Sequence, residues 1–433
     1  MWNYKSNSTF FDLLHTYMQV FKFGGASVKD ADGIKNLAHI VSQNLNERLV
    51  VVVSAMGKTT NLLEQIHAAY FNKNISEALS LWQTLADSHL KVVEQLEINS
   101  QPVEHYLTAL RNYIVNINES DFDTAYDAIV SHGELLSTTI VSTYLNRVGI
   151  SNLWLDMTKL LLTDSNHREA NVIFQPSANN LNKALQQSDI NLFVVQGFIG
   201  GNEKGNPTTL GREGSDYTAA VVANLLDAQS VTIWKDVDGI MNADPKLFSP
   251  VIHIPELSYN DAVELAYSGA QIIHPKTIRP IENKDIPLYV KPFANPDAKG
   301  SVIKSKISKP ISVPVYILRK NQVLVTIRPK DFSFVLEPSL AYLFKVVDAN
   351  KLKVSLIQSS AVTISICVDN SRNLLEALEE LSMLYNVTYN DNLCLLTIRG
   401  TTLSIIQEVE QGKNVLLKQT TRRTLKLVYR NVE

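Results

Sequence analysis

Cysteine is nearly missing from this chain of 433 residues: Cys367 and Cys394 are the only two, and both lie in apolar, strand-like runs. That count excludes a disulfide framework and a cysteine zinc cage, and it suits reduced packing residues of a cytoplasmic protein. Charge of one sign is missing too. Forty Lys and Arg against 43 Asp and Glu leave a formal net charge of −3, no overall field for a nucleic acid or an anionic membrane, so either partner would need a local patch. Long hydrophobic runs are absent: a stretch such as 49–53 holds five apolar residues, whereas a bilayer span needs about twenty. The first 17 residues lack the small-residue cleavage site of an export signal, and Asp12 and His15 break their apolar run; 1–17 reads as an N-terminal arm, expected to be disordered and to carry little function.

What is present is ordinary core-forming material, 45% hydrophobic and 19% charged, and roughly 150 residues per domain gives about three domains. From residue 18 to about 291, short β-branched runs at 49–54, 192–196, 230–234 and 287–290 alternate with longer amphipathic segments. This is the pattern of an α/β domain whose mostly parallel sheet is covered on both faces. Between 59 and 145 apolar residues recur at helical spacing (Leu62, Leu63, Ile66; Leu79, Trp82, Leu85; Leu107, Leu110, Ile114), an inserted helical lobe with those side chains as core. A Pro-, Lys- and Ser-rich linker at 292–314 is followed by strand, helix, strand, strand, helix (322–328, 339–349, 352–357, 362–368, 374–384). Strand, helix, strand, strand then repeats at 393–399, 403–410, 415–418 and 425–429, as two ferredoxin-like repeats with the second cut short by one helix and one strand.

Three clusters carry chemistry. In Lys22-Phe23-Gly24-Gly25-Ala26-Ser27 a strand runs into two glycines ahead of a helix near Asp30; the glycines allow close backbone approach to a phosphate and Lys22 adds a point charge, although an ordinary strand-to-helix turn fits the same residues. In Thr208-Thr209-Leu210-Gly211-Arg212-Glu213-Gly214-Ser215-Asp216-Tyr217 glycines flank a bidentate cation, and Ser215 or Asp216 can cap a helix opening at Tyr217; a plain capped helix with a surface arginine is the alternative. Trp234-Lys235-Asp236-Val237-Asp238-Gly239-Ile240-Met241-Asn242-Ala243-Asp244-Pro245-Lys246 follows a buried strand, where a sheet's carboxyl end opens onto a ligand crevice, or is a Gly and Pro turn capped by Asp244.

Together with V-S-A-M-G-K-T-T-N-L-L at 53–63, S-H-G-E-L-L-S at 131–137, Q-G-F-I-G at 196–200 and G-A-Q-I-I-H-P at 269–275, these clusters resemble, in order, the motif series of aspartate kinases. The resemblance implies the amino acid kinase fold, a three-layer αβα sandwich around a mostly parallel sheet, over 18–304. Ferredoxin-like ACT domains would follow at 305–391 and, truncated, at 392–433, associating as a homodimer, with no dehydrogenase fused. It implies transfer of the ATP γ-phosphate to the side-chain carboxylate of L-aspartate, the first step toward lysine, threonine and methionine. Mg²⁺ would be held mainly through the phosphates, with no protein metal site.

By the same resemblance Lys22 sits over the transferring phosphate and Asp216 orients it. Arg212 takes the substrate α-carboxylate, Glu134 pairs with its ammonium, and Thr60, Gly214 and Ser215 complete the substrate site. Gly24, Gly25 and Ser27 line the phosphates, while Lys235, Asp236, Met241, Lys246 and Gln271 border the nucleotide. His132 and His274 read as fold-supporting. The chain departs from many aspartate kinases, which carry threonine at Lys235, tyrosine at Met241, arginine at Lys246 and lysine at Gln271; Lys235 is expected to restore the cation lost at Gln271. Glu337-Pro338-Ser339 stands at a usually glycine-bearing helix start, and Ser355 and Ala361 stand where acids could hold a lysine effector, so lysine inhibition is expected to be weak or absent. Another amino-acid kinase of the same fold, acting on glutamate or acetylglutamate, is the rival enzyme; an amino-acid sensor using only its ACT units is the rival of another class.

Overall fold

The computed structural model describes residues 17–116, 121–270, 273–331, 334, 335 and 337–431. They fall into two compact units, the described residues of 1–240, 254–263 and 272–308 in one, and those of 241–253, 264–271 and 309–433 in the other. The expected N-terminal arm lies, except for Tyr17, outside the described residues.

The first unit is built on an eight-stranded sheet in the order Glu256–Leu257, Ser301–Ile303, Leu288–Pro292, Ser230–Lys235, Met18–Phe23, Arg48–Val53, Leu192–Gln196, Leu153–Leu155. Its neighbours run parallel except for Leu288–Pro292 against Ser301–Ile303. Every residue of Leu192–Gln196 is buried, and so is all of Arg48–Val53 except its first, which requires cover on both faces. The inserted lobe is five helices, Thr59–Phe71, Ile75–Gln95, Gln101–Val115, Phe122–Val130 and His132–Arg147. Leu63, Ile66, Leu85, Leu107, Leu110 and Ile114 are buried there as their spacing demands, while Leu62, Leu79 and Trp82 are partly buried against the same core.

Register brings the sheet's chemistry to one level. Phe23 pairs with Val53 and with Trp234, and Val53 pairs with Gln196, so four central strands end together and Gly24, Ser54, Gly197 and Lys235 follow at their carboxyl ends. Close approaches fix this rim: a Cβ on Gly25 would lie 2.6 Å from the Ala55 carbonyl oxygen, and one on Gly197 would lie 2.5 Å from Ser215 Cβ.

The second unit carries an antiparallel six-stranded sheet in the order Val354–Ser359, Ile364–Asp369, Val315–Pro329, Tyr385–Arg399, Thr424–Asn431, Lys413–Thr420. Two 15-residue strands form its centre, with a register break near Arg319, Gln322 and Leu324. On one side of the break, 322–327 pairs with Ile364–Asp369, and helices Glu337–Ala349 and Leu374–Leu384 complete a ferredoxin-like repeat. On the other side, Val315 to Arg319 pairs with Arg399 to Leu395, which continues to Thr424–Asn431 and Lys413–Thr420. The sheet therefore does not divide at 391/392. The strand that the second repeat lacks in sequence is supplied by 315–319, upstream of the first repeat; its fourth-strand place is filled, and among the described residues only the helix is missing.

Proline tests this interleaving. The Tyr316 N–H points out of the central ladder to the Asn242 carbonyl (2.8 Å), so the alternate N–H of buried Ile317, paired with Thr397, faces the neighbouring strand. Ile317→Pro removes that donor and orphans its acceptor, about 1–3 kcal/mol. Amide exchange is expected to speed up roughly 5- to 100-fold at 395–399 and 425–428 while 364–369 keeps its protection. A second repeat complete within 392–433 would show no change at those amides.

Candidate active site

Lys22 is the next-to-last residue of Met18–Phe23, and the apolar strand buries it to 9% exposure. Its Nζ lies 2.6 Å from Oδ1 of Asp216, which is 4% exposed in the first turn of helix Gly214–Leu225. Lys235, the last residue of Ser230–Lys235, brings a second ammonium to 3.8 Å from the other oxygen, Oδ2. Burial alone would push the Asp216 carboxyl up, but the Lys22 and Lys235 ammoniums outweigh it and hold the group below the usual carboxylate range. Asp216 stays ionised between two cations. The helix opens at Gly214 rather than Tyr217, and its cap position is Glu213, left-handed at φ 53° with no side-chain cap bond. Neither Ser215 nor Asp216 caps it; the Asp216 carboxylate is turned to the lysines instead.

Gly24 and Gly25 form the turn after Lys22, closed by the Ser27 N–H on the Gly24 carbonyl (2.9 Å), and a Cβ at Gly24 would come within 3.5 Å of Lys22 Nζ. The Gly57 N–H donates to the Gly25 carbonyl at 3.0 Å, joining this turn to the loop that leads into helix Thr59–Phe71, where partly buried Thr60 is the second residue. Asp30 caps the following helix through the Gly33 N–H at 2.9 Å.

Glu134 occupies the first turn of His132–Arg147 and is buried to 3% exposure. Oε1 accepts the Ala55 N–H at 3.0 Å, and Oε2 has no partner among the described residues. Burial pushes its carboxyl up to about 8, against an opposing pull from the Ala55 N–H and the nearby Lys22 ammonium. A buried acid with one bare oxygen suits a cationic ligand group.

Arg212 sits in the turn from strand Pro207–Thr209 to helix Gly214–Leu225. The turn is closed by the Gly214 N–H on the Gly211 carbonyl at 3.0 Å, with Gly211 at φ 77°. The Arg212 side chain is exposed, and its guanidinium has no hydrogen-bond or ion-pair partner among the described residues. Gly214 packs against Phe198, and Ser215, 7% exposed, against Gly197. The two histidines support the fold: the His132 ring nitrogen meets the Ala128 carbonyl at 2.9 Å, with burial lowering the imidazole to about 4, and His274 caps helix Pro275–Glu282 by accepting the Lys276 N–H at 3.1 Å.

Exposed Asp236 follows Lys235. Met241 and Lys246 belong to the second unit, where the Lys246 N–H closes a turn on Asp244 at 2.9 Å. Gln271 lies outside the described residues. Among the described residues no three His, Cys, Asp or Glu side chains gather as a metal cage.

Two site-bordering residues gave no motif signal. Asp127, fully buried in Phe122–Val130, accepts hydrogen bonds from His167, Arg168 and Thr209, and only a carboxylate at an otherwise apolar helix position hints at it. Lys276 donates to the Leu210 carbonyl at 3.0 Å and stands over the Tyr217 ring.

Comparison with known proteins places this geometry. Residues 18–292 match the amino acid kinase family. Over 400 residues the chain is 32% identical to lysine-sensitive aspartokinase 3 of Escherichia coli, covering 89% of this chain and 87% of that protein. It is 30% identical to the chloroplastic aspartokinase 2 of Arabidopsis thaliana, over 92% and 76% of the two chains. Among solved structures, Escherichia coli aspartokinase III in complex with aspartate and ADP superposes with a TM-score of 0.81 at 29% identity, over 95% of this chain and 96% of that one. The chain belongs to the aspartokinases, phosphotransferases of the amino acid kinase family.

Proposed function

We propose that this protein transfers the ATP γ-phosphate to the side-chain carboxylate of L-aspartate, giving ADP and 4-phospho-L-aspartate. The observation that carries the reading is one buried carboxylate, Asp216, set between the Lys22 and Lys235 ammoniums at the carboxyl ends of the sheet. Aspartate's side chain is ionised at neutral pH, with a pKa of about 3.9, so the nucleophile needs no general base. The barrier is repulsion between a carboxylate and a polyanionic phosphate, and charge neutralisation with in-line positioning lowers it. Lys22 meets the transferring oxygens, Asp216 aims it, and the Gly24, Gly25 and Ser27 turn lets backbone approach the phosphates. Lys235 supplies the second cation, and Asp236 serves the nucleotide. Mg²⁺ would enter with ATP and supply neutralisation of phosphate charge; with Asp216 committed to two lysines, the ion would be held mainly through the phosphates.

The substrate's two ends are read separately. Arg212 offers a two-pronged donor to the α-carboxylate, and the bare Oε2 of Glu134 takes the α-ammonium, with Thr60, Gly214 and Ser215 around them. An acetylated substrate has no ammonium for Glu134, which favours aspartate over acetylglutamate.

The division of labour follows. Residues 18–304 are read as the kinase domain and 305–431 as two ACT repeats, with 315–319 assigned to the second; the repeats pair two chains as a homodimer, and the enzyme works in the cytoplasm. Ser355, one of the positions where an acid could hold an effector's amino group, is already engaged: its hydroxyl accepts from Arg319, which also binds Asp369 at 2.6 and 2.5 Å, and its carbonyl accepts Lys426 at 2.9 Å. Two cations there disfavour a third, so lysine regulates weakly or not at all.

ATP-dependent hydroxamate formation with aspartate is expected, and none with glutamate or acetylglutamate. Lys22→Ala abolishes it, and Lys235→Thr raises the KM for ATP about tenfold, as expected for one lost charge-assisted phosphate contact. An unchanged ATP KM and kcat in Lys235→Thr would remove Lys235 from the nucleotide site. A coupled ADP assay with millimolar lysine is expected to retain most activity; full inhibition below 1 mM would overturn the effector reading.

Glu134 sets a pH dependence. Its raised pKa, about 8, leaves it mostly protonated in the free enzyme at neutral pH, and only the ionised form pairs with an ammonium. The kcat/KM for aspartate should rise by up to about tenfold per unit as pH climbs toward 8 and level off above it. Glu134→Gln flattens this profile and raises the aspartate KM; a flat profile in the native enzyme would exclude the pairing.

A further inference from the structure

Asp127 is a carboxylate with no exposure, on a helix that contributes nothing else to the transfer chemistry. Burying a charge is costly unless hydrogen bonds compensate, and here they come from two other segments. His167 Nδ1 lies 2.7 Å from Oδ2, the Arg168 N–H donates at 3.1 Å, and Thr209 Oγ1 donates to Oδ1 at 2.6 Å. His167 and Arg168 belong to the loop after strand Leu162–Thr163; Thr209 ends strand Pro207–Thr209, three residues before Arg212.

The same segments converge on the arginine turn. The Ala170 N–H donates to the Thr209 carbonyl at 2.9 Å, and a Cβ on Gly211 would lie 3.2 Å from the Arg168 carbonyl oxygen, so that loop forms one wall of the turn. Arg168 is held at φ 69°, with its guanidinium on Asp123 at 3.1 Å and over the Tyr126 ring. The far side of the turn is fixed by Glu213, which accepts the His274 N–H at 2.9 Å. Because the Arg212 guanidinium has no partner of its own among the described residues, its placement depends on the backbone beneath it.

We propose that Asp127 is a positioning residue for aspartate: through Thr209 and the 167–170 loop it braces the turn that presents Arg212 to the substrate's α-carboxylate. The proposal rests on the reading of Arg212 given above. A brace of this kind acts on one substrate, since the phosphate-facing lysines stand on other strands. Its loss lowers the fraction of enzyme with Arg212 in place, which raises the apparent aspartate KM in proportion.

Steady-state kinetics on the full chain tests it with four variants. Asp127→Asn and Thr209→Val should each raise the aspartate KM about tenfold, the effect of one lost hydrogen bond to a buried charge, and leave the ATP KM within about twofold. Thr209→Ser, which keeps the hydroxyl, should stay near the native values. Arg212→Ala should raise the aspartate KM at least as much. If Asp127→Asn does not fold, the Val and Ser variants at 209 decide alone. Parallel rises in both KM values, or equal effects of Val and Ser, would mean a structural role only and overturn the brace. An aspartate KM that is native-like in Thr209→Val but raised in Arg212→Ala overturns the brace and leaves Arg212 its role; a native-like KM in Arg212→Ala overturns the reading of Arg212 and the proposal with it.

Discussion

A single buried carboxylate organises the active site. Asp216 has almost no contact with water, and an isolated ion in such a place would protonate. It stays charged because Lys22 and Lys235 arrive from adjacent parallel strands, Met18–Phe23 and Ser230–Lys235, whose register brings Lys22 level with Ile233 and Phe23 level with Trp234. The three residues are therefore interdependent. Without Asp216 the two ammoniums would repel one another, and without the lysines burial would neutralise Asp216. The arrangement has a net charge of one positive unit, enough to attract an anion while keeping each ammonium aimed. The opening of helix Gly214–Leu225 adds to it, since the first-turn carboxylate faces the positive end of the helix dipole.

The fold makes such a site economical to build. Parallel strands carry their carboxyl ends to one edge, so Gly24, Ser54, Gly197 and Lys235 become neighbours although nearly 200 residues separate some of them. Glycine is demanded where two of these rims touch. Gly25 meets the Ala55 carbonyl, and Gly197 meets Ser215, so the turn after Lys22 packs on the loop after Arg48–Val53, and the turn after Leu192–Gln196 packs on the opening of helix Gly214–Leu225.

Much of this was legible in sequence, for physical reasons that differ by element. Buried strands such as 49–53 and 192–196 announce themselves because cover on both faces leaves no polar alternation, and Leu63, Ile66 and Leu110 because only helical spacing puts them on one side. Lys22, Glu134, Arg212 and Asp216 lie within motif runs whose local chemistry is distinctive. What stayed hidden depends on pairing over distance. The strand 315–319 sits beside prolines and belongs to a repeat that begins some 70 residues later, a partner no contiguous reading suggests. Residues 385–392 are mostly exposed, and the polar run Asn390-Asp391-Asn392 separates the short alternation of Tyr385, Val387 and Tyr389 from the apolar strand at 393–399, so the two do not read as one strand. The helix-capping alternative for Asp216 rested on local spacing, and the two lysines, distant in sequence but 2.6 and 3.8 Å away in space, overruled it. Asp127 had no motif at all; its meaning comes from donors 40 and 82 residues downstream.

The protonation of Glu134 bears on substrate choice more than on rate. A permanently ionised Glu134 near Lys22 would offset part of the positive charge that the lysines provide. Held near pKa 8 by burial, it is mostly neutral at physiological pH until a ligand brings its own cation. An amino acid with a free α-ammonium then ionises Glu134, and the new pair is nearly neutral, so the phosphate-facing charge is preserved. A ligand with an acylated nitrogen leaves either a protonated acid with a bare oxygen or an unpaired buried charge, and both lose the hydrogen bond that Oε2 is free to make. On the proposed reading, selection at this end follows from coupling between the ammonium and a reluctant acid, and the Arg212 fork would select the carboxylate at the other.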